Sequence, residues 1–464
     1  MHTRPNIVFI LSDDQGPWAA GCYGNEEIHT PAIDRIAQTG MRFDNFFVAT
    51  PVCSPSRATF LTGRIASQHG VHDWIREGNM GQNVAAYLEG EIAYTDILAE
   101  HGWICGLSGK WHLGHSQLVQ HGFSHWYTHQ YGGGPYNDAP MVRDGEPVTE
   151  PGYVTTAITD DALSFIDRHA GCDVPFYLSV HYTAPHSPWT GHPQDIVDGY
   201  DECAFASCPQ EEIHPWAVGH QLSESCLGKR EMLKGYFAAV TAMDRDIGRI
   251  LDKLEEKGLR EDTLVVFVSD NGFSCGHHGF WGKGNGTYPP NMYENSIKVP
   301  FVISQPGRVP AGSVEGAMVS AYDFMPTLLD YLGLPLPTGI DLPGESVVPL
   351  WLGQGDSGRD EVVIYDEYGS TRMVRTEEWK YVHRYPDGPC ELYDLVNDPD
   401  ERVNLVGYPE QRARINALYA RLEEWFERFV VQGRDGRDFA VTGKGQLRPV
   451  GEKWAGNDPS FAED

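Results

Sequence analysis

The chain has 464 residues, of which 41% are hydrophobic, and its formal net charge is −30. This length and composition predict a globular protein with a large core, and no apolar run approaches the roughly 20 residues that a membrane helix needs. The negative charge argues against nucleic acid and acidic membrane surfaces as partners. Nine scattered cysteines and the lack of a signal-peptide pattern predict a cytoplasmic location with reduced thiols, or a periplasmic or secreted location if a leader was removed.

Two predicted strands each end in a pair of oxygen-bearing side chains. Residues 6–11 (NIVFIL) precede Asp13 and Asp14, and residues 263–268 (TLVVFV) precede Asp270 and Asn271. Each run is short, apolar and β-branched, as is typical of buried parallel strands. Taken alone, the first pair fits a solvated turn as well as a metal site. Two such pairs at strand ends favour a hard divalent cation held by oxygen ligands.

The stretch 53–64 (CSPSRATFLTGR) combines a nucleophile-type residue with an anion site. Pro55 suits the first turn of a helix that continues through residues 58–62, so Cys53 is predicted just before the helix amino terminus, where an anion is favoured. Arg57 follows one turn later and can form a forked contact with an oxyanion. For the motif C-x-P-x-R alone, a buried cysteine before an ordinary helix is an equally good interpretation.

Further candidate residues follow two more predicted strands. Residues 103–107 lead to Lys110 and His112, which alone would fit a surface loop, and residues 175–180 lead to His181 and His186. We interpret His181 as a packed core histidine and leave it outside the site.

The second half of the chain combines an irregular insertion, a long helix and a small sheet. Residues 190–228 lack periodicity and are interpreted as an insertion or lid, and residues 231–257 as an amphipathic helix. The insertion also contains four residues that could bind zinc: Cys203, Cys208, His214 and Cys226. A zinc site is disfavoured because their spacings match no standard pattern, and the preferred interpretation is that the three cysteines are reduced thiols. After residue 360, short alternating strands, a helix over residues 409–429 and an extended tail are predicted.

The motifs together resemble the type I sulfatases of the alkaline phosphatase superfamily. The stretch 53–64 matches their signature C-x-P-S-R…L-T-G-R, and GKWHLG at 109–114, APH at 184–186, DNG at 270–272 and GKG at 282–284 also fit. The resemblance implies an α/β, alkaline-phosphatase-like sandwich with a large mixed, mainly parallel central sheet and a smaller carboxy-terminal antiparallel sheet. It places a catalytic domain at residues 1–355 and the antiparallel subdomain, with its terminal helix and tail, at 356–464.

The resemblance also implies the chemistry. In this family a maturation enzyme oxidises the signature cysteine, here Cys53, to Cα-formylglycine, whose hydrated form attacks sulfur. The catalytic groups carried over are Cys53, Arg57, Lys110, His112, His186 and Lys283. The metal ligands carried over are Asp13, Asp14, Cys53, Asp270 and Asn271, around one divalent cation that is usually Ca²⁺, with Mg²⁺ as the other possibility.

The expected activity is hydrolysis of a sulfate monoester on a small or terminal sulfated carbohydrate. The net charge and the predicted lid favour short substrates cut from the end over polyanions. Asp73, Trp74 and Arg76 follow the signature helix and are candidate substrate-binding residues, although a plain surface turn fits them equally well. Two alternatives stay open: a phosphonate monoester or phosphodiester hydrolase of the same superfamily, and a binder of sulfated ligands in which Cys53 is never converted.

Overall fold

The computed structural model describes residues 4–355, 362–451 and 460–462. A ten-stranded central sheet, shown below to hold the site, has the order β12-β2-β11-β8-β1-β7-β3-β4-β5-β6. Its strands are β1 (Asn6–Ser12), β2 (Met41–Phe47), β3 (Ile104–Gly109), β4 (Phe123–His129), β5 (Asn137–Arg143), β6 (Glu146–Tyr153), β7 (Phe176–His181), β8 (Thr263–Ser269), β11 (Lys298–Ser304) and β12 (Ser313–Ser320). Two further strands, β9 (Ser274–Cys275) and β10 (Trp281–Gly282), pair with each other in a separate ribbon.

The centre of the large sheet is parallel. β1 runs parallel to both β7 and β8, and β3 runs parallel to β7 and β4, whereas β11, β5 and β6 are antiparallel to their neighbours. Parallel pairing brings the carboxyl ends of β1, β8, β3 and β7 to one edge, which is where ligands collect in such sheets. This mixed, mainly parallel arrangement confirms the predicted fold class.

Twelve α-helices lie in the described part of the chain, and several of them cover the two faces of this sheet. They are α1 (Pro31–Gln38), α2 (Cys53–Thr62), α3 (Ala66–His69), α4 (Tyr94–Glu100), α5 (Val154–His169), α6 (Gln194–Asp198), α7 (Gln221–Cys226), α8 (Arg230–Glu256), α9 (Glu294–Ile297), α10 (Phe324–Tyr331), α11 (Val348–Trp351) and α12 (Arg412–Phe429). Alternate residues of β1 serve two cores, because Phe9 packs with α2 and α10 while Val8 and Ile10 pack with α1, α5 and α8. In the described part of the chain, the helices are too short or too polar for a bilayer-crossing segment.

A second, antiparallel sheet follows near the carboxyl end. It consists of β13 (Ile364–Tyr368), β14 (Thr371–Arg375), β15 (Trp379–Arg384) and β16 (Glu391–Asp394) in sequential order. One face packs on α12, while Ile364, Met373 and Val382 on the other face join a cluster that contains Cys53. The predicted domain boundary at 355/356 adjoins residues 356–361, which lie outside the described residues, so that division stays a prediction.

One local expectation needs correction, and a second holds for only part of its segment. Cys53 is the first residue of α2 and not the residue before it, since Val52 occupies the N-cap position. The first part of the segment 190–228 packs on α8 through Tyr200 and Phe205, in a core of its own. Its later part reaches the site, because His220 and Leu222 line a cavity of about 200 Å³ together with Asp14, His186 and Lys283. A lid role for this later part therefore stays a prediction.

Candidate active site

Three carboxylates meet at the carboxyl edge of the central sheet. Asp13 and Asp14 follow β1 and Asp270 follows β8, and each offers an oxygen within 4.8 Å of the others. An extended strand would aim Asp13 and Asp14 to opposite faces. Asp14 instead has a φ of 71°, in the left-handed region, and this turn lets both neighbouring carboxylates reach one point.

Three buried cations balance these carboxylates. Lys110 contacts Asp13, Lys283 Nζ lies 2.5 Å from Asp14 Oδ1, and Arg57 Nε donates to Asp270 Oδ2 at 2.8 Å. All six side chains are nearly or fully removed from solvent. Burying an ion is costly unless it is paired, so the pairing explains how this density of charge is tolerated.

The donor set fits a hard divalent cation. Within the described residues, Asp13 Oδ1 and Asn271 Oδ1 are buried oxygens without a hydrogen-bond partner. The amide of Asn271 is oriented by its own donation to Asp14 Oδ1 at 2.7 Å. Carboxylate and amide oxygens around one point are the ligands that Ca²⁺ and Mg²⁺ take. The four predicted metal ligands other than Cys53 therefore lie together.

The carboxylates differ in protonation tendency. Burial alone would raise the pKa of Asp13, but Lys110 and its other cationic neighbours hold it below its usual value. For Asp270, burial and the charge of Asp13 together raise the pKa despite Arg57. The cationic neighbours therefore favour the ionised form of Asp13, whereas the surroundings of Asp270 disfavour a second negative charge beside Asp13.

Cys53 lies beside this cluster at the start of α2. Its Sγ is 3.6 Å from Lys283 Nζ, and the residue is 3% exposed. Burial raises the pKa of the thiol, and the opposing effect of Lys110 and Lys283 does not overcome it. The thiol is therefore protonated at neutral pH and a poor nucleophile as it stands, because the thiolate is the reactive form.

His112 is held as a neutral base. Its Nε2 lies 2.9 Å from the carbonyl oxygen of Ile75, which can only accept, so Nε2 carries the proton. Its Nδ1 is buried without a partner among the described residues and bears a lone pair. Burial, followed by the charge of Lys110, places the pKa of His112 well below its usual value.

His186 occupies a more open position. Its Nδ1 donates to the carbonyl of Ser187 at 2.7 Å, and its Nε2 lies 3.9 Å from Asp14 Oδ2. The side chain is 27% exposed. By contrast, His181 is buried against Phe9 and bonded to the carbonyl of Lys110, which agrees with its interpretation as a packed core histidine.

A cavity of about 450 Å³ opens above these groups. Its lining combines predicted catalytic side chains with residues from several loops: Cys53, Trp74, Ile75, Arg76, Asn79, His112, Tyr131, Gly132, Gly133, His186, Lys283 and Asn285. Arg57 and Lys110 are absent from the lining and contact the carboxylates instead. The cavity thus brings four of the six predicted catalytic residues to one surface.

The sequence analysis missed the loop that follows β4. Tyr131 is 46% exposed at the cavity, and Gly132 and Gly133 face the two histidines. A Cβ on Gly132 would stand 2.1 Å from the ring of His112, so only glycine fits there. The run of three glycines at 132–134 was the available signal, since glycine marks close approach of the backbone.

Of the three predicted substrate-binding residues, Asp73 is wrongly assigned. It is fully buried, accepts hydrogen bonds from the Tyr368 hydroxyl and from Gly445 N at 3.1 Å, and does not line the cavity. It therefore supports the cavity wall from behind. Trp74 and Arg76 do line the cavity, and Arg76 is exposed there.

Comparisons with known proteins agree with this geometry. The family description "Sulfatase" matches residues 5–334, and "N-sulphoglucosamine sulphohydrolase, C-terminal" matches residues 276–428. The chain belongs to the sulfatase family. It is a sulfuric ester hydrolase of the type I group within the alkaline phosphatase superfamily, as the motifs predicted, and this family uses formylglycine and a divalent cation.

Individual relatives span almost the whole sulfatase. An N-acetylglucosamine-6-O-sulfatase of Bacteroides thetaiotaomicron is 29% identical, over 96% of this chain and 90% of the relative. An ulvan-active sulfatase of Formosa agariphila is 31% identical, over 91% of this chain and 81% of the relative. A solved structure of a protein in complex with its substrate D-glucosamine-2-N,6-O-disulfate is 27% identical, has a TM-score of 0.76 and covers 95% of this chain and 100% of its own.

Proposed function

We propose that this sulfatase removes a 6-O-sulfate from the terminal N-acetylhexosamine of a short glycan, using Cα-formylglycine formed from Cys53 and one Ca²⁺. The observation that carries the proposal is the position of Cys53, beside Lys283 and the three carboxylates on the floor of a cavity of about 450 Å³. A cavity of this volume lies toward the small end of the range for small-molecule sites, roughly 300–1,000 Å³, which suits one sulfated sugar. The names of the relatives supply the amino sugar and the 6-position.

The depth of the nucleophile also favours a 6-O-sulfate. Cys53 is 3% exposed, whereas Trp74 and Arg76 border the same cavity nearer to solvent. A sulfate on the exocyclic carbon projects farther from the sugar ring than one on a ring carbon. Such a group reaches a deep floor while the ring stays between the loops.

The cation and the modified cysteine have defined contributions. Asp13, Asp14, Asp270 and Asn271 would hold the cation, which neutralises the sulfate ester, and formylglycine supplies the hydroxyl nucleophile together with a second hydroxyl for release of sulfate. Ca²⁺ suits a flexible set of oxygen ligands better than zinc does.

The chain's own residues supply charge and proton transfer. Arg57, Lys110 and Lys283 form a preorganised cationic environment for the charge that develops on the sulfate oxygens. His112 Nδ1, with its free lone pair, is placed to take a proton during release of sulfate. His186 and Lys283 line the cavity and are the candidate proton donors to the departing sugar oxygen. His186 can donate from Nε2 only as the imidazolium, because its Nδ1 proton is already donated to the carbonyl of Ser187.

The test is a substrate panel on one preparation whose Cys53 conversion has been measured by intact mass. The panel contains 6-O-sulfated N-acetylglucosamine and N-acetylgalactosamine, their positional isomers, an aryl sulfate, and a phosphonate monoester. We expect a 6-O-sulfated sugar to have the highest kcat/KM. A higher kcat/KM for the phosphonate monoester would favour a phosphonate monoester hydrolase. If fully converted protein hydrolyses no member of the panel, the protein is better described as a binder of sulfated ligands.

A further inference from the structure

A second cavity of about 1050 Å³ lies next to the active-site cavity. It is bordered by the 218–225 segment, by residues after β10 and by the carboxy-terminal tail: Trp74, Val218, Gly219, His220, Gln221, Leu222, Ser225, Asn285, Tyr288, Thr442, Gly443 and Lys444. Trp74 and Asn285 belong to the walls of both cavities. A ligand that fills the first cavity and extends past these two side chains therefore enters the second.

The shared wall is fixed by the tail. The carbonyl oxygen of Gly443 accepts from Trp74 Nε1 at 2.9 Å and from Asn285 Nδ2 at 3.2 Å. Gly443 has a φ of 80°, and a Cβ there would stand 2.7 Å from the Cβ of Asn285. In addition, Gln446 N donates to the carbonyl of Trp74 at 2.7 Å. The boundary between the cavities is thus a built feature that involves residues more than 350 positions apart.

The charge of this surface is opposite to that of the molecule. Within the described residues, neither cavity lining contains Asp or Glu, although the formal net charge of the chain is −30. Lys444 lines the second cavity, and Arg76 and Lys283 line the first, where Lys283 also contacts Asp14 below the lining. His220 lines the second cavity as a neutral hydrogen-bonding group, because burial lowers its pKa. The nearby Glu224 does not line the second cavity and accepts a hydrogen bond from Gly219 N at 2.8 Å. An anionic ligand therefore meets local positive charge along both cavities.

The second cavity also presents an aromatic face. Tyr288 is 55% exposed, and Trp74 is partly exposed at the shared wall. Large aromatic rings with a polar end are well suited to pack against the apolar face of a sugar while hydrogen bonding at the edge. Asn285, Gln221 and Thr442 add neutral hydrogen-bonding groups in the same lining.

We propose that the second cavity is a binding site for the sugar units adjoining the sulfated sugar, and that it favours an oligosaccharide with an anionic group placed near Lys444. The proposal rests on the proposed function, because it takes the first cavity as the site of sulfate hydrolysis. It assigns Tyr288 and Lys444 to substrate binding, with no part in the chemical step.

The experiment compares kcat/KM on a size series with one 6-O-sulfated terminal N-acetylglucosamine: the monosaccharide, and tri- and tetrasaccharides whose adjoining sugars are either uronates or neutral hexoses. For the wild type we expect kcat/KM to rise from the monosaccharide to the longer members, and more steeply in the uronate series. Tyr288→Ala should lower kcat/KM for the longer members roughly tenfold, as expected for loss of one aromatic packing contact, and leave the monosaccharide unchanged.

The contribution of the Lys444 charge is tested by variants that remove the charge or keep it. Lys444→Gln should lower kcat/KM for the uronate series roughly tenfold with little change in the neutral series, and Lys444→Arg should restore most of it. Lys257→Gln removes the same charge at the distant end of α8 and should change neither series.

The outcomes separate the two proposals. Equal kcat/KM for all lengths, or equal losses on the monosaccharide and the tetrasaccharide in the Tyr288→Ala and Lys444→Gln variants, overturns the second binding site while sulfate hydrolysis stands. No turnover of any member by converted wild-type protein overturns the proposed substrate. In that case, saturation-transfer NMR with the unsulfated uronate trisaccharide tests the second cavity alone, and loss of signal in Tyr288→Ala supports it, whereas no difference refutes it.

Discussion

The floor and the rim of the active-site cavity are built in different ways. The floor consists of buried charges that follow the central strands, lie on α2 or, for Lys283, follow β10. Each carboxylate there has a cationic partner. The rim consists of loop residues such as Trp74, Tyr131 and Asn285. Trp74 and Asn285 are held there by the carbonyl of Gly443, which lies far away in the chain. Sheet topology and charge balance therefore fix the chemistry, whereas packing between distant loops shapes the surface on which substrates differ.

The largest expected effect is on the floor. Cys53→Ala should lower turnover by at least about 10⁴-fold, because it removes the nucleophile. The free energy of unfolding should fall by only about 1 kcal/mol, since one small buried group is lost. Kinetics and urea unfolding of the same preparation measure both. Cys53→Ser should accumulate a sulfate ester, visible by intact mass, because serine lacks a second hydroxyl.

Cys105→Ala is the matched control for this change. Cys105 is equally buried but lies in β3, where its thiol has only weak contacts with backbone carbonyls. Its substitution should leave kcat/KM unchanged. Full activity of Cys53→Ala would mean that the nucleophile has been misidentified.

The second prediction concerns the cation. Asp13→Asn should lower bound calcium below one ion per chain and reduce kcat by at least about 100-fold, since a ligand and its charge are lost. Chelation should inactivate the wild type, and added Ca²⁺ should restore it. Elemental analysis and kinetics measure these effects. Asp244→Asn, which alters a buried carboxylate that caps α1, should keep its calcium. Stoichiometric zinc without calcium or magnesium would refute the assignment.

The third prediction concerns two neighbours behind the rim that titrate in opposite directions. Burial raises the pKa of Asp73 to about 6, so its contribution to stability is present below pH 4 and lost as the pH rises to 6. Burial lowers the pKa of His72 to about 4, so its contribution is present above pH 6.5 and lost as the pH falls to 4. Between pH 4 and pH 6.5, each titration changes the free energy of unfolding by about 3 kcal/mol. The two changes have opposite signs and largely cancel in the wild type.

Single substitutions should separate these two contributions. Relative to the wild type, Asp73→Asn should lose stability as the pH falls from 6.5 to 4, because the His72 titration is no longer offset. His72→Leu should gain stability over the same range. Urea unfolding at several pH values measures both differences. Parallel curves for the three proteins would show that neither group is perturbed by burial.

The smallest expected effect is long-range. At low salt, the net charge of −30 should slow capture of long, heavily sulfated polymers, so short mono-sulfated saccharides should have the higher kcat/KM. Salt should narrow this gap, because the screening length falls to about 10 Å at 0.1 M. Measuring kcat/KM for both substrate types at several salt concentrations tests this. The prediction is contradicted if, at low salt, sulfate is removed from internal positions of a polymer with a higher kcat/KM than from any short fragment.

The sequence was sufficient for the floor because two local signals coincide there. A buried apolar run followed directly by carboxylates marks both a central strand and its carboxyl end, as for Asp13 and Asp270. The outermost strand of the central sheet was harder to predict. β6 contains Pro147 and Pro151, which resemble turn signals but are tolerated in an edge strand. Without β4 to β6, the loop that carries Tyr131 had no predicted position.

The rim could not be predicted from local pattern. Asp73 beside Trp74 looks like a polar surface turn, yet its partner is Tyr368 on β13, nearly 300 residues away. Residues 442–446 look like a polar extended tail, but Gln446 pairs with Ile75 and Gly443 bonds Trp74. Such positions depend on which distant segments meet, and periodicity carries no information about that.

The deep position of Cys53 also has a consequence for the timing of biosynthesis. Its neighbour Lys283 lies 230 residues later in the chain, so the floor cannot close until that segment has been translated. At about 5–20 residues per second, the interval is on the order of 10 to 50 s. If Cys53 is oxidised by a separate enzyme, as the proposed function requires, that enzyme has access to Cys53 during this interval, whereas in the folded protein Cys53 is only 3% exposed. Protein that folds before it meets the oxidising enzyme would therefore stay inactive, however well it folds.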